Sequence, residues 1–431
     1  MSARLTRGVS PSEQWAALGR LALVVGGGVF AAVLTGTVKT VAVVAAVVLM
    51  IMLHELGHFA TAKWSGMKVT EYFLGFGPRL WSVRRGETEY GVKAIPAGGY
   101  VKIVGMNNME EVDPADEART YRQSTFPRRL LVVSAGSAMH FLLAFLLLWG
   151  MLSFVGTVEG DHPLLTVGSI STLATGPSPA QKAGFRAGDR IVAVDGKPLK
   201  KWDELPPMIQ ARPGQPVRFT VLRHGATLTL TAVPVDLQKV KVTGGGAPVP
   251  STAKPYGFVG IGPAYPVDRK NPAAAVPAAA VDVGKYTWTV VGALGHIFSP
   301  HGLSSYGEQL TGHAPSGPSA STDQQNRFVS PVGLVRLASD AASSGVRDVL
   351  VLLVAINVFV GVFNMVPLLP LDGGHVAVAI YERARSRRGR RYRVDIRKLM
   401  PATYLVFFLI VLLGVSALYL DIVKPFPNPF Q

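Results

Sequence analysis

Val41-Ala42-Val43-Val44-Ala45-Ala46-Val47-Val48-Leu49-Met50-Ile51-Met52-Leu53-His54-Glu55-Leu56-Gly57-His58 is the stretch whose reading decides the rest of the chain. The apolar run has the character of a membrane span, and it closes on two histidines with a glutamate between them. On a helix His54 and His58 stand one turn apart on the same face, so two imidazoles can grip one metal while Glu55 projects beside it. Zinc held this way lowers the pKa of a bound water to about 7, and a carboxylate base can then deliver that water as a nucleophile. The plain alternative is a chance pentapeptide with interior histidines. Depth argues against it, because an unpaired carboxylate at the centre of a span costs about 2.5–3.5 kcal/mol.

Composition agrees with a membrane setting. A mean hydropathy of +0.30 with 16% charged residues exceeds what a soluble domain of this length carries, and the apolar residues gather in blocks of about 20. The fold class expected is a polytopic α-helical membrane protein. The net charge of +16 comes largely from basic residues beside the apolar blocks, where they set orientation and meet the anionic lipid bilayer; nucleic acid is not an expected partner. The sequence has no cysteine, which excludes disulfides and thiolate ligands.

Four apolar blocks fall near 39–62, 130–155, 349–371 and 401–420. A weaker one, Leu21 to Thr37, follows Arg4, Arg7 and Arg20 without a small-residue cleavage site and reads as a retained extra helix in an N-terminal extension, 1–38. The basic residues concentrate in 63–129 and in the loop 381–400, which runs from Arg383 through Arg393 to Lys398, so both segments are expected in the cytoplasm. The remaining division follows: span 39–62 with the histidine motif, span 130–157, an extracytoplasmic stretch 158–348, span 349–380, and a C-terminal helix and tail, 401–431. Within the first basic segment, Glu89 to Ile103 alternates around Pro96 and the Gly98-Gly99 pair and reads as a membrane-associated cytoplasmic β-hairpin or looped strand.

Outside, Ser178-Pro179-Ala180-Gln181-Lys182-Ala183-Gly184-Phe185-Arg186-Ala187-Gly188-Asp189 leads into a β-rich run and an Asp195-Gly196 turn. The pattern resembles a PDZ domain, expected over 158–240, with a helix at Trp202 to Ala211 and a closing hairpin around His224-Gly225. Such domains bind extended chain ends by strand addition. The alternative is a small α/β spacer. The section 241–348 reads as linker with amphipathic helices at Gly284–Phe298 and Val332–Ala342; Lys239 to Lys270 and Ser299 to Ser330 look like loops. His296, His301 and His313 are scattered there without ligand spacing.

A catalytic zinc has three protein ligands and an open position. The best third ligand is Asp372 in Asn364-Met365-Val366-Pro367-Leu368-Leu369-Pro370-Leu371-Asp372-Gly373-Gly374, where two prolines must break the helix at a depth at which irregular backbone is tolerated only inside protein or a wet cavity. A helix-capping role for Asp372 is the competing reading. His375 is a weaker candidate ligand. Asn364 can donate its amide to a substrate carbonyl or make an interhelical hydrogen bond.

Together, HELGH, the PDZ-like section and Asn-x-x-Pro-x-x-Pro-x-Asp-Gly-Gly resemble the site-2 protease family of intramembrane zinc metalloproteases over residues 39 to 431, especially the bacterial members that release signalling factors. The resemblance implies Zn2+ held by His54, His58 and Asp372, with Glu55 as general base. It further implies that the loop from Gly91 to Ile103, including Gly98, Gly99 and Tyr100, presents substrate as a strand, and that the PDZ domain restricts access. The implied partners are single-pass membrane proteins, among them pre-cleaved anti-sigma factors, in the inner (plasma) membrane. One departure is His140 in Ala135-Gly136-Ser137-Ala138-Met139-His140, where the family shows asparagine. The extra helix at 21–37 is another. Two other function classes compete: an intramembrane metal transporter leaves Glu55 unexplained, and a non-catalytic PDZ adaptor leaves the HELGH and Asp-Gly-Gly segments without use.

Overall fold

The computed structural model describes residues 11–106, 110–158, 162–173, 175–239, 242–243, 255–311, 327–386 and 392–424. In chain order the helical unit begins with α1 (Pro11–Thr35) and α2 (Val38–Trp64), followed by the strands β1 (Val69–Arg85) and β2 (Thr88–Ile103) and by α3 (Phe126–Gly150), which continues through a helical turn to Val155. The chain then builds a β-rich unit with β3 (Thr157–Val158), β4 (Leu164–Ile170), β5 (Thr172–Leu173), β6 (Gly176–Pro177), α4 (Pro179–Ala183), β7 (Arg190–Val194) and β8 (Lys197–Pro198). After α5 (Leu205–Gln210) come β9 (Val217–Arg223), β10 (Ala226–Ala232), β11 (Val235–Asp236), β12 (Val242–Thr243), β13 (Gly257–Phe258), β14 (Ile261–Ala264) and β15 (Val267–Asp268). It returns to helices α6 (Pro272–Ile297), α7 (Pro300–Leu310), α8 (Pro331–Ser344), α9 (Val346–Asn364), α10 (Asp372–Arg385) and α11 (Ile396–Val423).

Among the described residues, α2, the α3 segment Phe126–Val155, α9 and the Arg397–Val423 part of α11 are long and apolar enough to cross a membrane. Each overlaps one of the four apolar blocks of the sequence, though α9 stops at Asn364, short of the expected 371. A helix satisfies its own backbone hydrogen bonds, which is why uninterrupted runs of Val, Leu and Phe take this form in a bilayer. Leu21–Thr35, the apolar part of α1, is shorter. Arg4 and Arg7, most of the arginine run (387–391) and His313 lie outside the described residues.

The β1–β2 hairpin turns at Gly86 (φ +61°) and then folds upon itself. Glu71 to Leu74 pair with Glu89 to Val92 on one side and with Gly99 to Lys102 on the other, while Trp81 to Arg85 pair with Thr88 to Val92. The result is four ribbons in which Gly99–Ile103 forms an outer edge. The expected hairpin is therefore present, but its partner strand is Val69–Arg85, which the alternation within 89–103 did not reveal. Val69 and Ile103 pack with Ala62, Met67, Tyr121, Val132 and Val133 in one buried cluster, anchoring the hairpin to the ends of α2 and α3.

Within the β-rich unit the main sheet runs β10-β9-β7-β4-β14, with β8 on β7. Val167, Ile191, Val194, Leu205, Val217, Phe219 and Val221 are almost completely buried in its core, each burial contributing about 1.5–3 kcal/mol. A Ser178–Gln181 capping box opens α4, and the β9–β10 hairpin lies around His224-Gly225, where the sequence placed it. The boundary expected at 240 does not hold. β14 completes the sheet and β15 pairs with β3 (Val158↔Val267, Thr157↔Asp268), so part of the Gly- and Pro-rich stretch read as a loop is β-structure. Its glycines are sites of close backbone approach: a side chain on Gly257 would collide with Ile209 O, and one on Gly262 with Ser169. Similarly, part of Ser299–Ser330 forms α7, started by Pro300 and capped by Ser299, and the helix expected from Gly284 already begins at Pro272.

Candidate metal centre

His54 and His58 are 7% and 6% exposed, and their Nε2 atoms are 3.2 Å apart. α9 ends at Asn364, the chain turns through Pro367 and Pro370, and α10 opens on Asp372. Gly373 and Gly374 make that turn possible, because a Cβ at either would strike the backbone of Met365–Val366 or Leu368–Leu369. Asp372 Oδ2 is thereby brought to 3.4 Å from His54 Nε2 and 3.3 Å from His58 Nε2. Asp372 is the first residue of α10 but does not cap it: the N-cap position is Leu371, no side-chain cap hydrogen bond is made, and the carboxylate faces the two histidines instead.

These three atoms form a nearly equilateral triangle, and the buried Oδ2 has no hydrogen-bond donor. Ligands at zinc-like distances of about 2.0–2.1 Å in tetrahedral array lie about 3.3–3.4 Å apart, so the triangle has the dimensions of three such ligands. His54, His58 and Asp372 are the group suited to a metal among the described residues, and their nitrogen and oxygen donors suit zinc. His58 Nδ1 donates to Val132 O at 2.7 Å, fixing the tautomer that leaves Nε2 free for a metal.

Glu55 stands beside this triangle under the edge of the hairpin. A Cβ on Gly99 would lie 3.0 Å from Glu55 Cγ and 3.2 Å from Met52 Sδ, so the absent side chain is what lets the Gly99–Ile103 edge approach the carboxylate. Tyr72 OH donates to Met52 O at 2.8 Å, tying the hairpin to α2. Tyr100 stacks on Phe73, donates to Glu71 Oε2 at 2.5 Å and accepts from Lys93 Nζ at 2.7 Å.

The structure brings His54, Glu55, His58, Asp372 and the Gly98-Gly99-Tyr100 strand to one place. His375 instead lines a small cavity with Tyr121, Arg129, Val378 and Glu382. Asn364 is a half-buried terminal residue of α9 with no hydrogen bond to the cluster among the described residues. Sequence reasoning missed Gly136 and Asn357. A Cβ on Gly136 would come within 2.6 Å of His54 Nε2, so α3 passes the imidazoles only because this residue is glycine. Asn357 is fully buried in an apolar span and bonds to His140; a lone amide at membrane depth was the available signal.

Peptidase family M50 matches residues 42–411. The chain is 35% identical over 408 residues to zinc metalloprotease Rip1 of Mycobacterium tuberculosis, covering 88% of this chain and 96% of the relative. Rip1 of Mycolicibacterium smegmatis is 34% identical over 406 residues, with the same coverage. A putative zinc metalloprotease of Clostridium acetobutylicum is 28% identical over 377 residues, 87% of this chain and 95% of its own. The chain belongs to peptidase family M50 and is a membrane zinc metalloprotease.

Proposed function

We propose that the protein hydrolyses peptide bonds in or near transmembrane segments of membrane-protein substrates. The observation that carries this reading is the adjacency, within one helical unit, of the His54–His58–Asp372 triangle, Glu55 and an outer strand edge. His54, His58 and Asp372 would hold the zinc, which when bound supplies Lewis acidity and a water nucleophilic at neutral pH. Glu55 takes a proton from the attacking water and returns it to the leaving amide nitrogen. Helical peptide bonds resist attack because their carbonyls are already hydrogen-bonded, and the Gly99–Ile103 edge offers an unwound segment replacement backbone partners. Its lack of a side chain at Gly99 brings such a segment over Glu55.

The basic segments Lys63 to Arg129 and Arg383 to Lys398 support a cytoplasmic hairpin and an extracytoplasmic β unit in the plasma membrane. The β unit's capped α4, Gly-Asp turn and β9–β10 hairpin support a PDZ-type module that restricts substrate entry. Single-pass proteins already trimmed outside, anti-sigma factors among them, fit a site within helices whose access such a module restricts.

Purified full-length protein, tested on a single-pass substrate with cleavage mapped by mass spectrometry, should cut within or beside the span. Cuts confined to soluble regions would refute intramembrane proteolysis. Because β3 and β15 pair where the chain enters and leaves the β unit, replacing 159–266 with a short linker should preserve cleavage of a trimmed substrate and increase cleavage of one with a bulky outer domain. Loss of the first activity in a folded, zinc-loaded variant would contradict a purely restrictive role. In intact cells Thr227→Cys should react with an impermeant thiol reagent and Arg85→Cys should not; the reverse pattern would invert the orientation.

A further inference from the structure

The two histidines of the HELGH motif are oriented differently. Nδ1 of His58 donates to Val132 O at 2.7 Å, whereas the buried Nδ1 of His54 makes no hydrogen bond of comparable geometry and has only the Gly136 backbone beside it. Against the His54 ring packs that of His140, at a centroid distance of 5.0 Å and a tilt of 42°. His140 is 2% exposed, and its Nδ1 lies 2.8 Å from Oδ1 of the fully buried Asn357. The Asn357 amide nitrogen donates to Leu353 O at 2.8 Å and touches Met50 Sδ. That assignment turns Oδ1 toward His140 and makes Nδ1 of the imidazole the donor.

α3 presents these contacts at four-residue intervals: Val132 O to His58, Gly136 as clearance for both imidazoles, His140 against His54. Residues four apart share one helical face, so a single stripe of α3 serves the pair on α2. Asn357 extends the contact to α9, the helix that leads to Asp372. A polar pair buried this deeply is costly unless bonded, and here each member satisfies the other.

We propose that the His140–Asn357 pair is the positioning element for His54: a hydrogen-bonded ring that holds the imidazole in its metal-facing orientation, as Val132 O holds His58. This inference rests on the reading of His54, His58 and Asp372 as zinc ligands. A flat ring provides a packing face that the asparagine expected at this position lacks. Outer contacts that orient metal-binding histidines are commonly worth 10–100-fold in metal affinity.

The test is Zn2+ affinity of the detergent-solubilised full chain, by competition with a chromophoric chelator, together with the visible absorption of the Co2+-loaded protein. His140→Ala, Asn357→Leu and their double variant are compared with the parent, and His140→Phe keeps a ring while removing the Nδ1 donor. His140→Ala and Asn357→Leu should each weaken Zn2+ binding about 10–100-fold and shift the Co2+ bands. The double variant should bind no more weakly than His140→Ala, because the two residues act through one bond. His140→Phe should also bind more weakly than the parent. Multiplicative losses in the double variant, or parent affinity in a folded His140→Phe chain whose His54→Ala counterpart has lost zinc, would overturn the proposal alone. Parent affinity in His54→Ala would overturn the ligand assignment and the positioning role together.

Discussion

In the β unit the buried carboxylate of Asp189 accepts three hydrogen bonds, from Arg223 Nε at 2.6 Å, Arg223 Nη2 at 2.7 Å and the Arg186 amide at 2.8 Å. In the helical unit the buried Oδ2 of Asp372 has no donor and faces two histidine nitrogens. The first carboxylate is completed by its own chain. The second is arranged as acceptors around a common point, which becomes favourable only with a cation among them, since a buried charge without a partner is destabilising. The contrast separates polar groups placed for folding from polar groups placed for chemistry.

The strongest challenge to this comparison is Glu55→Gln. Zinc should remain near one per chain while peptide hydrolysis falls by at least about 100-fold, the lower range for losing a positioned base; metal analysis and cleavage on one preparation decide it. Turnover near that of the parent would remove Glu55 from its proposed role. Next, Asp372→Ala should lose both zinc and activity, whereas His375→Ala should keep its zinc. The opposite result would mean that the cavity beside Arg129, and not the triangle, belongs to the metal.

On the other side of the comparison, Asp189→Ala removes the acceptor shared by Arg223 and the Arg186 amide and should destabilise the β unit, read as increased amide exchange over 164–232 in the full chain. Zinc content should not change. Arg223 holds the Asp189 carboxyl below its usual range, so this contribution is present above the ordinary carboxylate pKa and is lost as pH falls through the lowered one. The smallest effect belongs to Glu87, at the hairpin turn, which pairs with Lys63 at 2.5 Å and Arg119 at 2.7 Å. These partners, Arg119 foremost, lower its pKa to about 2. Its stabilising contribution should persist at neutral pH and disappear as pH falls toward about 2, with Glu87→Gln costing at most about 1 kcal/mol at pH 7. A loss of several kcal/mol on thermal unfolding would make the turn a structural centre.

The readable parts of the sequence were those with local periodicity or intolerable chemistry. Four spans, the HELGH spacing and the helix break before Asp372 each follow from neighbours in the chain. The less readable parts depended on partners far away in sequence. β14 looked like linker because Gly260 and Gly262 obscure its alternation, while its pairing lies with β4 nearly a hundred residues earlier. Val69–Arg85 was not recognised as a strand because each ribbon of that hairpin is defined by its two flanks. His140 stands out in the sequence, but its hydrogen-bond partner, Asn357, lies on another helix more than two hundred residues away.

Gly57, Gly91, Gly99, Gly136, Gly373 and Gly374 each occupy a place where even a methyl group would press into a neighbour. Any base change that replaces a glycine adds at least that methyl group, so the amino-acid replacements at these codons have no size-neutral option. The region around the centre is consequently a concentrated mutational target: its accuracy depends on absent atoms, and a single base change can fill such a gap but none can enlarge it.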